Sequence, residues 1–567
     1  MNAIITFILS FLGINFIVFL PYWLMGLFSK INHPKKAFFD DKVYFIFKKI
    51  LYKRFSDDCF RLVLELQILS VLLLVLNIEN TIYFKIGFIL IILITFIYMT
   101  YISVIIRIFK KEPILINDFD FAKTGLMVYK KKAPLVLTGM AICMAVLVLL
   151  SNSLVDILIN SSSQIEYKWP LIIILCLSIA ISLVAVKKIP YIIYYHSVSF
   201  SLINHLFQNL KKCYTLKQSL KTLNTDFPYA YSKNIHLKKQ PNIVFIFLES
   251  YGSFVFSDPN YGVDFKQKME EVYKSLNQNE FQIVSSLSES PVASGGSWLS
   301  HSSVLFGVKV SDIAAHEVIF NQTEYVSKIA SIPKYLSTQG YKTTLATTIS
   351  YNKSDVNWEK VKNVYPFEDL MLYHDFNYTG KSVPIFSDRY TIPDEYTLNY
   401  AYQAALNKSP FFLSVNTTNS HYNYISPIKP IKHWKDYNSI DFSLTDGLKK
   451  NSLKNFFTAI NYQIDYIHDF LLNNKLDDTI TVLIGDHQPP FITPENIDKS
   501  TPIHIISKNN DFINAFKEFK FTEGLVPGQK FQKHESFFSK FIYALNNAYG
   551  EDKNLELPIF EDGIKLY

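Results

Sequence analysis

The sequence predicts two parts in series: a multi-pass bundle of apolar helices, then an α/β domain built on a mostly parallel sheet. Three observations predict it. Five apolar stretches in the first 190 residues each approach the ~20 residues needed to cross a bilayer. Strand-length runs at 242–248, 411–416 and 479–484 are mostly apolar without the polar alternation of a half-exposed strand, and a further strand is expected at 342–347 after Gly340. Helix-period stretches at 325–338, 395–407 and 453–474 separate them, the last with Phe456, Ile460, Ile464, Ile467 and Leu471 on one face.

The apolar helices come first. The spacing predicts spans at about 3–27, 61–78, 82–106, 133–158 and 169–187, with Tyr22, Trp23, Tyr83 and Trp169 at their ends, where amphipathic rings favour the interface. The first has no basic n-region or small-residue cleavage site and is not read as a signal peptide. Glu65 and Asp156 fall in or near spans, either as relay groups or as carboxylates paired within the bundle. Lys and Arg outnumber Asp and Glu, 56 to 49, but the excess lies within residues 1–210. The basic balance therefore belongs to the membrane loops and gives no sign of a nucleic-acid surface. Loops 28–60 and 107–132 hold most of it, which places them in the cytoplasm by the positive-inside rule. Five spans would then leave the C-terminal domain inside as well. A sixth crossing at 189–210 would reverse this, but His196, Ser199, Ser201, Asn204 and His205 interrupt that stretch, which also reads as an interfacial amphipathic helix. The boundaries expected are 1–188 for the membrane domain, 189–240 for interfacial and linker helices, and 241–567 for the α/β domain. All four cysteines (Cys59, Cys143, Cys176, Cys213) precede the last of these, so it has neither disulfides nor thiolate ligands.

The chemistry-bearing residues lie just past strand ends, where open α/β sheets present ligands to a crevice. The run 242–248 delivers Glu249, the run 411–416 leads to Asn419-Ser420-His421, and the run 479–484 delivers Gly485-Asp486-His487. Between them, Gly295-Gly296 precede Ser297, which opens a helix whose backbone N–H groups can receive an anion. His301 follows one turn later and either assists Ser297 or supports it from behind. Singly, each has a bland reading: Glu249 as a strand-end cap, Ser297 as an N-cap, His421 as a surface histidine. Jointly the bland readings become improbable, and Glu249 with Asp486-His487 at one sheet edge would make a metal site.

In this order the motifs resemble the alkaline phosphatase–sulfatase superfamily, and more narrowly its lipoteichoic acid synthase and membrane phosphoglycerol transferase branch. That branch joins a five-helix membrane part to an extracytoplasmic sulfatase-like domain. Carried over, the resemblance makes Ser297 the nucleophile and His421 a contact to the substrate phosphate, with Glu249, Ser297, Asp486 and His487, a hard, oxygen-rich set, the ligands of one divalent metal, manganese or magnesium first and zinc next. Trp358 and Lys360 have the spacing of the branch's Trp and Arg that hold glycerol phosphate, although Lys gives up bidentate binding. Ser stands where lipoteichoic acid synthases have Thr, and the formylglycine motif of true sulfatases is absent around Ser297. A second zinc set is not evident, and the cysteine-bridged phosphoethanolamine transferases match less well.

The resemblance implies a transferase of the bacterial inner membrane. It would move phosphoglycerol from a phospholipid, phosphatidylglycerol first, to an envelope glycan or polymer through phospho-Ser297. That chemistry implies an extracytoplasmic domain, against the loop charges. The rivals are a hydrolase, in which water resolves the intermediate, and a membrane sensor that keeps a dead fold.

Overall fold

The computed structural model describes all residues except 1, 31–61, 79–81, 110–112, 117, 120–132, 189–198, 224–233, 321, 350–360, 363, 386–388, 446–451, 495–496, 529, 554 and 567. The chain forms two compact units that change over between Tyr214 and Thr215.

Among its described residues the first unit holds five apolar helices, α1 (Asn2–Lys30), α2 (Leu64–Val75), α3 (Ile82–Phe109), α4 (Ala133–Ser163) and α5 (Trp169–Lys188). Among the described residues, three segments are long and apolar enough to cross a membrane: Asn2–Pro21, Ile82–Ile106 and Thr138–Ser163. Leu64–Val75 and Trp169–Ala180 are apolar but shorter. The expected span 61–78 is trimmed because Leu62 and Val63 are extended and pair in parallel with Ser199 and Phe200. The Val63 N–H then donates to Asn15 Oδ1 on α1 (2.7 Å).

Both bundle carboxylates are paired. Asp156 takes an ion pair from Lys85 (2.6 Å) and a hydrogen bond from Asn152 (3.3 Å). Glu65 caps the next helix, α6 (Leu202–Ser219), by accepting from Ser201 Oγ (2.8 Å), Leu202 N (3.1 Å) and Ile203 N (3.0 Å). An anion at a helix N-terminus satisfies donors that have no partner within the helix. This fixes which end of the bundle α6 occupies. Lys168, just before α5, donates to Asn77 beyond the C-terminal end of α2, so α5 runs back towards the Glu65 end. α6 thus starts at the Glu65 end of the bundle and takes up 202–210 of the stretch 189–210; residues 189–198 lie outside the described residues.

The second unit is built on a nine-stranded mixed sheet. Its strands in chain order are β1 (Asn242–Leu248), β2 (Gln282–Glu289), β3 (Lys342–Thr347), β4 (Asp369–Met371), β5 (Phe411–Asn416), β6 (Thr479–Gly485), β7 (Ser500–Ser507), β8 (Thr522–Glu523) and β9 (Lys530–Lys533). The order across the sheet is β8-β2-β7-β6-β1-β5-β3-β4, with β9 also on β2. From β6 to β4 every pairing is parallel, while β7 runs antiparallel to both β6 and β2.

β1 shows why its sequence lacks alternation. Ile243, Phe245 and Phe247 enter one core and Val244, Ile246 and Leu248 the other, all at most 2% exposed. Helices α7 (Gly262–Gln278), α9 (Asp394–Leu406) and α10 (Ser452–Asn473) carry apolar residues into the second core. Helices α8 (Ser297–Phe306), α11 (Asn510–Glu518) and α12 (Phe537–Tyr549) do the same for the first. The helix expected over 325–338 is only Ile332–Thr338, because Ser331 caps it by accepting from Lys334 N and Pro333 sits in its first turn.

Candidate metal centre

Register brings the site together. Gly485 on β6 stands opposite Leu248 on β1, and Phe247 stands opposite Asn416 on β5. The next residues along, Glu249, Asp486 and Thr417, therefore leave the sheet at one edge. Gly485 is required there, since a Cβ would lie 2.0 Å from the Tyr251 carbonyl oxygen.

Each side chain is aimed by its neighbours. Ser250 turns the chain at φ 59°, a left-handed conformation a non-glycine residue adopts only when held. Asp486 Oδ1 holds it by accepting from Ser250 N (2.8 Å) and also accepts from His487 N (2.6 Å). Ser250 Oγ donates to Glu249 Oε1 (2.8 Å). His487 Nδ1 lies 2.9 Å from the Gln488 carbonyl oxygen, so the proton belongs on Nδ1 and Nε2 offers a lone pair inward. Ser297 follows Gly295 and Gly296 at φ 67° and 76°, and its Oγ donates to Glu249 Oε2 (3.2 Å). The same Oγ lies 3.3 Å from His487 Nε2.

One ligand atom each from Glu249, Asp486 and His487 lie within 4.8 Å of one another. His487 Nε2 is 3.5 Å from both Glu249 Oε1 and Asp486 Oδ2. The electrostatics suit a cation. Burial, then the charge of Glu249, pushes the Asp486 carboxyl up to about 7. Burial also pushes Glu249 upward, but His421, His487 and the Ser250 and Ser297 hydroxyls outweigh it and hold its carboxyl below the usual range. Burial pushes His487 down, yet the two carboxylates raise it overall. Two buried carboxylates facing one imidazole carry more negative charge than the cluster neutralises, and a divalent ion among these oxygen and nitrogen donors would relieve it. The residues present fit such an ion.

The other expected site residues divide. His421 is half-buried, with Nδ1 3.2 Å from the Tyr422 carbonyl oxygen, and acts on Glu249 through charge. His301 packs on Phe247 with ring centroids 4.3 Å apart, and burial pushes it down to about 3, leaving it neutral. Trp358 and Lys360 lie outside the described residues.

Sequence reasoning missed a clamp behind Glu249. Its N–H donates to Thr417 Oγ1 (3.0 Å), and its carbonyl accepts from Ser420 Oγ. Gln463 of α10, fully buried, joins the two hydroxyls: it accepts from Thr417 (3.2 Å) and donates to Ser420 (2.6 Å). Asp394 fixes the same loop by accepting from Thr418 N (3.0 Å), Thr418 Oγ1 (3.0 Å) and Asn419 N (2.7 Å). The hydroxyl-rich run Thr417-Thr418-Asn419-Ser420 was the available signal, while Gln463 is hidden among the apolar residues of a core helix.

Fold and site together define a class: an α/β domain with a carboxylate, histidine and serine cluster at parallel strand ends, behind a bundle of apolar helices. No family model matches the chain, and no curated relative matches it. Among solved structures, the chain is similar to the lipoteichoic acid synthase LtaP from Listeria monocytogenes, with 18% identity over 52% of this chain and 70% of that one (TM-score 0.34). It is similar to the Streptococcus pyogenes phosphoglycerol transferase GacH, solved in complex with sn-glycerol-1-phosphate, with 12% identity over 60% and 84% (TM-score 0.35). It is also similar to the C-terminal periplasmic domain of EcEptC from Escherichia coli, with 14% identity over 56% and 85% (TM-score 0.36).

Proposed function

We propose that the protein is a membrane-bound, metal-dependent transferase that moves phosphoglycerol from a phospholipid, phosphatidylglycerol first, to a hydroxyl of an envelope glycan or polymer. The observation that carries it is the position of Ser297 Oγ, at a helix N-terminus and within 3.3 Å of both Glu249 and His487. Glu249, Asp486, His487 and Ser297 would hold one divalent ion, manganese before magnesium or zinc. When bound, the ion supplies charge that favours the deprotonated serine and offsets charge on the phosphoryl oxygens.

The rest is done by the chain. Ser297 Oγ attacks phosphorus, forming a Ser297 O–P bond, and its proton ends on the departing oxygen. The P–O bond to diacylglycerol breaks, and that oxygen leaves as the hydroxyl of diacylglycerol, carrying the serine's proton. Backbone N–H groups at the start of α8 face the phosphoryl oxygens, and His421 adds a donor. An acceptor hydroxyl then attacks the same phosphorus; its proton goes to Ser297 Oγ as the Ser297 O–P bond breaks. Trp358 and Lys360 are proposed to hold the glycerol phosphate. Donor and acceptor of this kind lie outside the cytoplasm, so the catalytic unit is proposed to face outward from the inner membrane.

Intact-mass measurement of the full chain after exposure to phosphatidylglycerol and Mn²⁺ tests the proposal. The expected result is one glycerophosphoryl group on the parent chain and none on Ser297→Ala. Equal labelling of both chains, or transfer of phosphate alone, would overturn it.

A further inference from the structure

Helix α6 carries a feature the phosphotransfer chemistry does not use. Ile203, Phe207, Leu210 and Tyr214 recur at spacings of four, three and four, so they share an arc of about 60° at 100° per residue. They are 68%, 67%, 59% and 65% exposed, while Leu202 and Asn209 on the opposite side are buried. An unbroken apolar row over three turns is costly in water.

We propose that this row is a lipid-binding surface, seated in the headgroup–acyl boundary of the bilayer that surrounds α1–α5. Three observations select that occupant. The back of α6 is fastened to the helical bundle. Glu65 at the start of α2 caps it, and Asn209 donates to the Pro113 carbonyl (3.1 Å) and accepts from Leu115 N (2.9 Å), a few residues past α3. The bundle to which α6 is fastened itself presents apolar side chains outward, Leu9 at 63% and Leu149 at 67% among them, as a unit surrounded by acyl chains requires. The helix is amphipathic rather than apolar throughout, and exposed Lys211 stands beside the row, where its ammonium can reach lipid phosphates. A helix of this pattern lies in the plane of the interface and does not span it.

The inference rests on the bundle being in a bilayer, and the test separates the two. Single-tryptophan additions, Phe207→Trp on the row and Leu149→Trp on α4, are read as difference emission from the parent chain. The full protein is reconstituted in phosphatidylcholine–phosphatidylglycerol vesicles containing lipids brominated near the headgroup end of the acyl chains or at their middle. Phe207→Trp should lose about half or more of its added emission to the shallow bromines and little to the deep ones, as an interfacial depth requires. Leu149→Trp should be quenched by one depth or the other. Quenching of Leu149→Trp without Phe207→Trp would overturn the surface and show that protein, a second copy included, covers the row. Loss of quenching at both positions would take the membrane placement down with it.

Discussion

At the scale of single residues, the site depends on how firmly Glu249 is held. Its peptide is gripped on both sides, the N–H by Thr417 and the carbonyl by Ser420, with Gln463 fixing the spacing of the two hydroxyls. Removing that bridge leaves every proposed ligand in place but lets the carboxylate drift. Outer partners of metal ligands are worth about 10–100-fold in metal affinity. Gln463→Leu should therefore weaken Mn²⁺ binding by about that factor, measured by calorimetry on the detergent-solubilised chain. Glu249→Gln should abolish binding, and Ser297→Ala should keep most of it while losing the covalent adduct. A Gln463→Leu chain that binds Mn²⁺ like the parent would show that the clamp is ordinary core packing. The proposed ligands could be picked out because glycine, acid and histidine in sequence at the end of an apolar run have few uses. Gln463 could not, because its role exists only once α10 packs against the loop after β5.

At the scale of elements, the parallel strands β1, β5 and β6 were legible because both faces of each are buried and their residues are mostly apolar, while β3, KTTLAT, was legible from its place after Gly340. The antiparallel strands β2 and β7 were not, although β7 is buried along its whole length. Their serines and His504 break the apolar pattern, yet across the ladder they satisfy one another. His504 stands opposite Ser285; Ser285 Oγ donates to the Gly524 carbonyl and so accepts from His504 Nδ1 (2.7 Å), while Tyr251 Oη meets Nε2 (3.1 Å). That arrangement needs a neutral ring, and burial pushes His504 down to about 3. His534, buried and bonded to the Gly485 carbonyl, is pushed down to about 4. The unfolded chain binds these protons near pH 6.5 and the folded one refuses them, so the stability they allow is complete above about 6.5 and falls as pH drops towards those values. Each histidine costs about 1.4 kcal/mol per pH unit in that window. The thermal midpoint should fall steeply from pH 6.5 to 4.5, and His504→Gln should flatten the slope. An unchanged slope would place the acid sensitivity elsewhere. The core beside these strands should be as unforgiving: Phe245 meets Phe412, Phe537 and Phe541 at 5.0–5.9 Å, so Phe245→Ala should cost about 3–5 kcal/mol by calorimetry.

At the scale of the whole chain, charge and chemistry give opposite orientations, and the bundle geometry sharpens the conflict. The end of α3 and the start of α2, which flank the basic loops, lie at the same end as α6, through Asn209 and Glu65. The start of α6 therefore lies at the end of the bundle where α3 finishes and α2 begins. One term has to yield, and loop charge is the weaker, because it biases insertion by a few kcal/mol at most, whereas a lipid-to-glycan transferase facing the cytoplasm would meet no acceptor. Alkaline phosphatase and green fluorescent protein fusions after residue 220 and within the loop 120–132 should both report an outward location. Opposite signals from the two sites would contradict the bundle. A cytoplasmic signal from both would leave the bundle intact and remove the envelope acceptor from the proposed reaction, making a hydrolase acting on inner-leaflet lipid the reading to test.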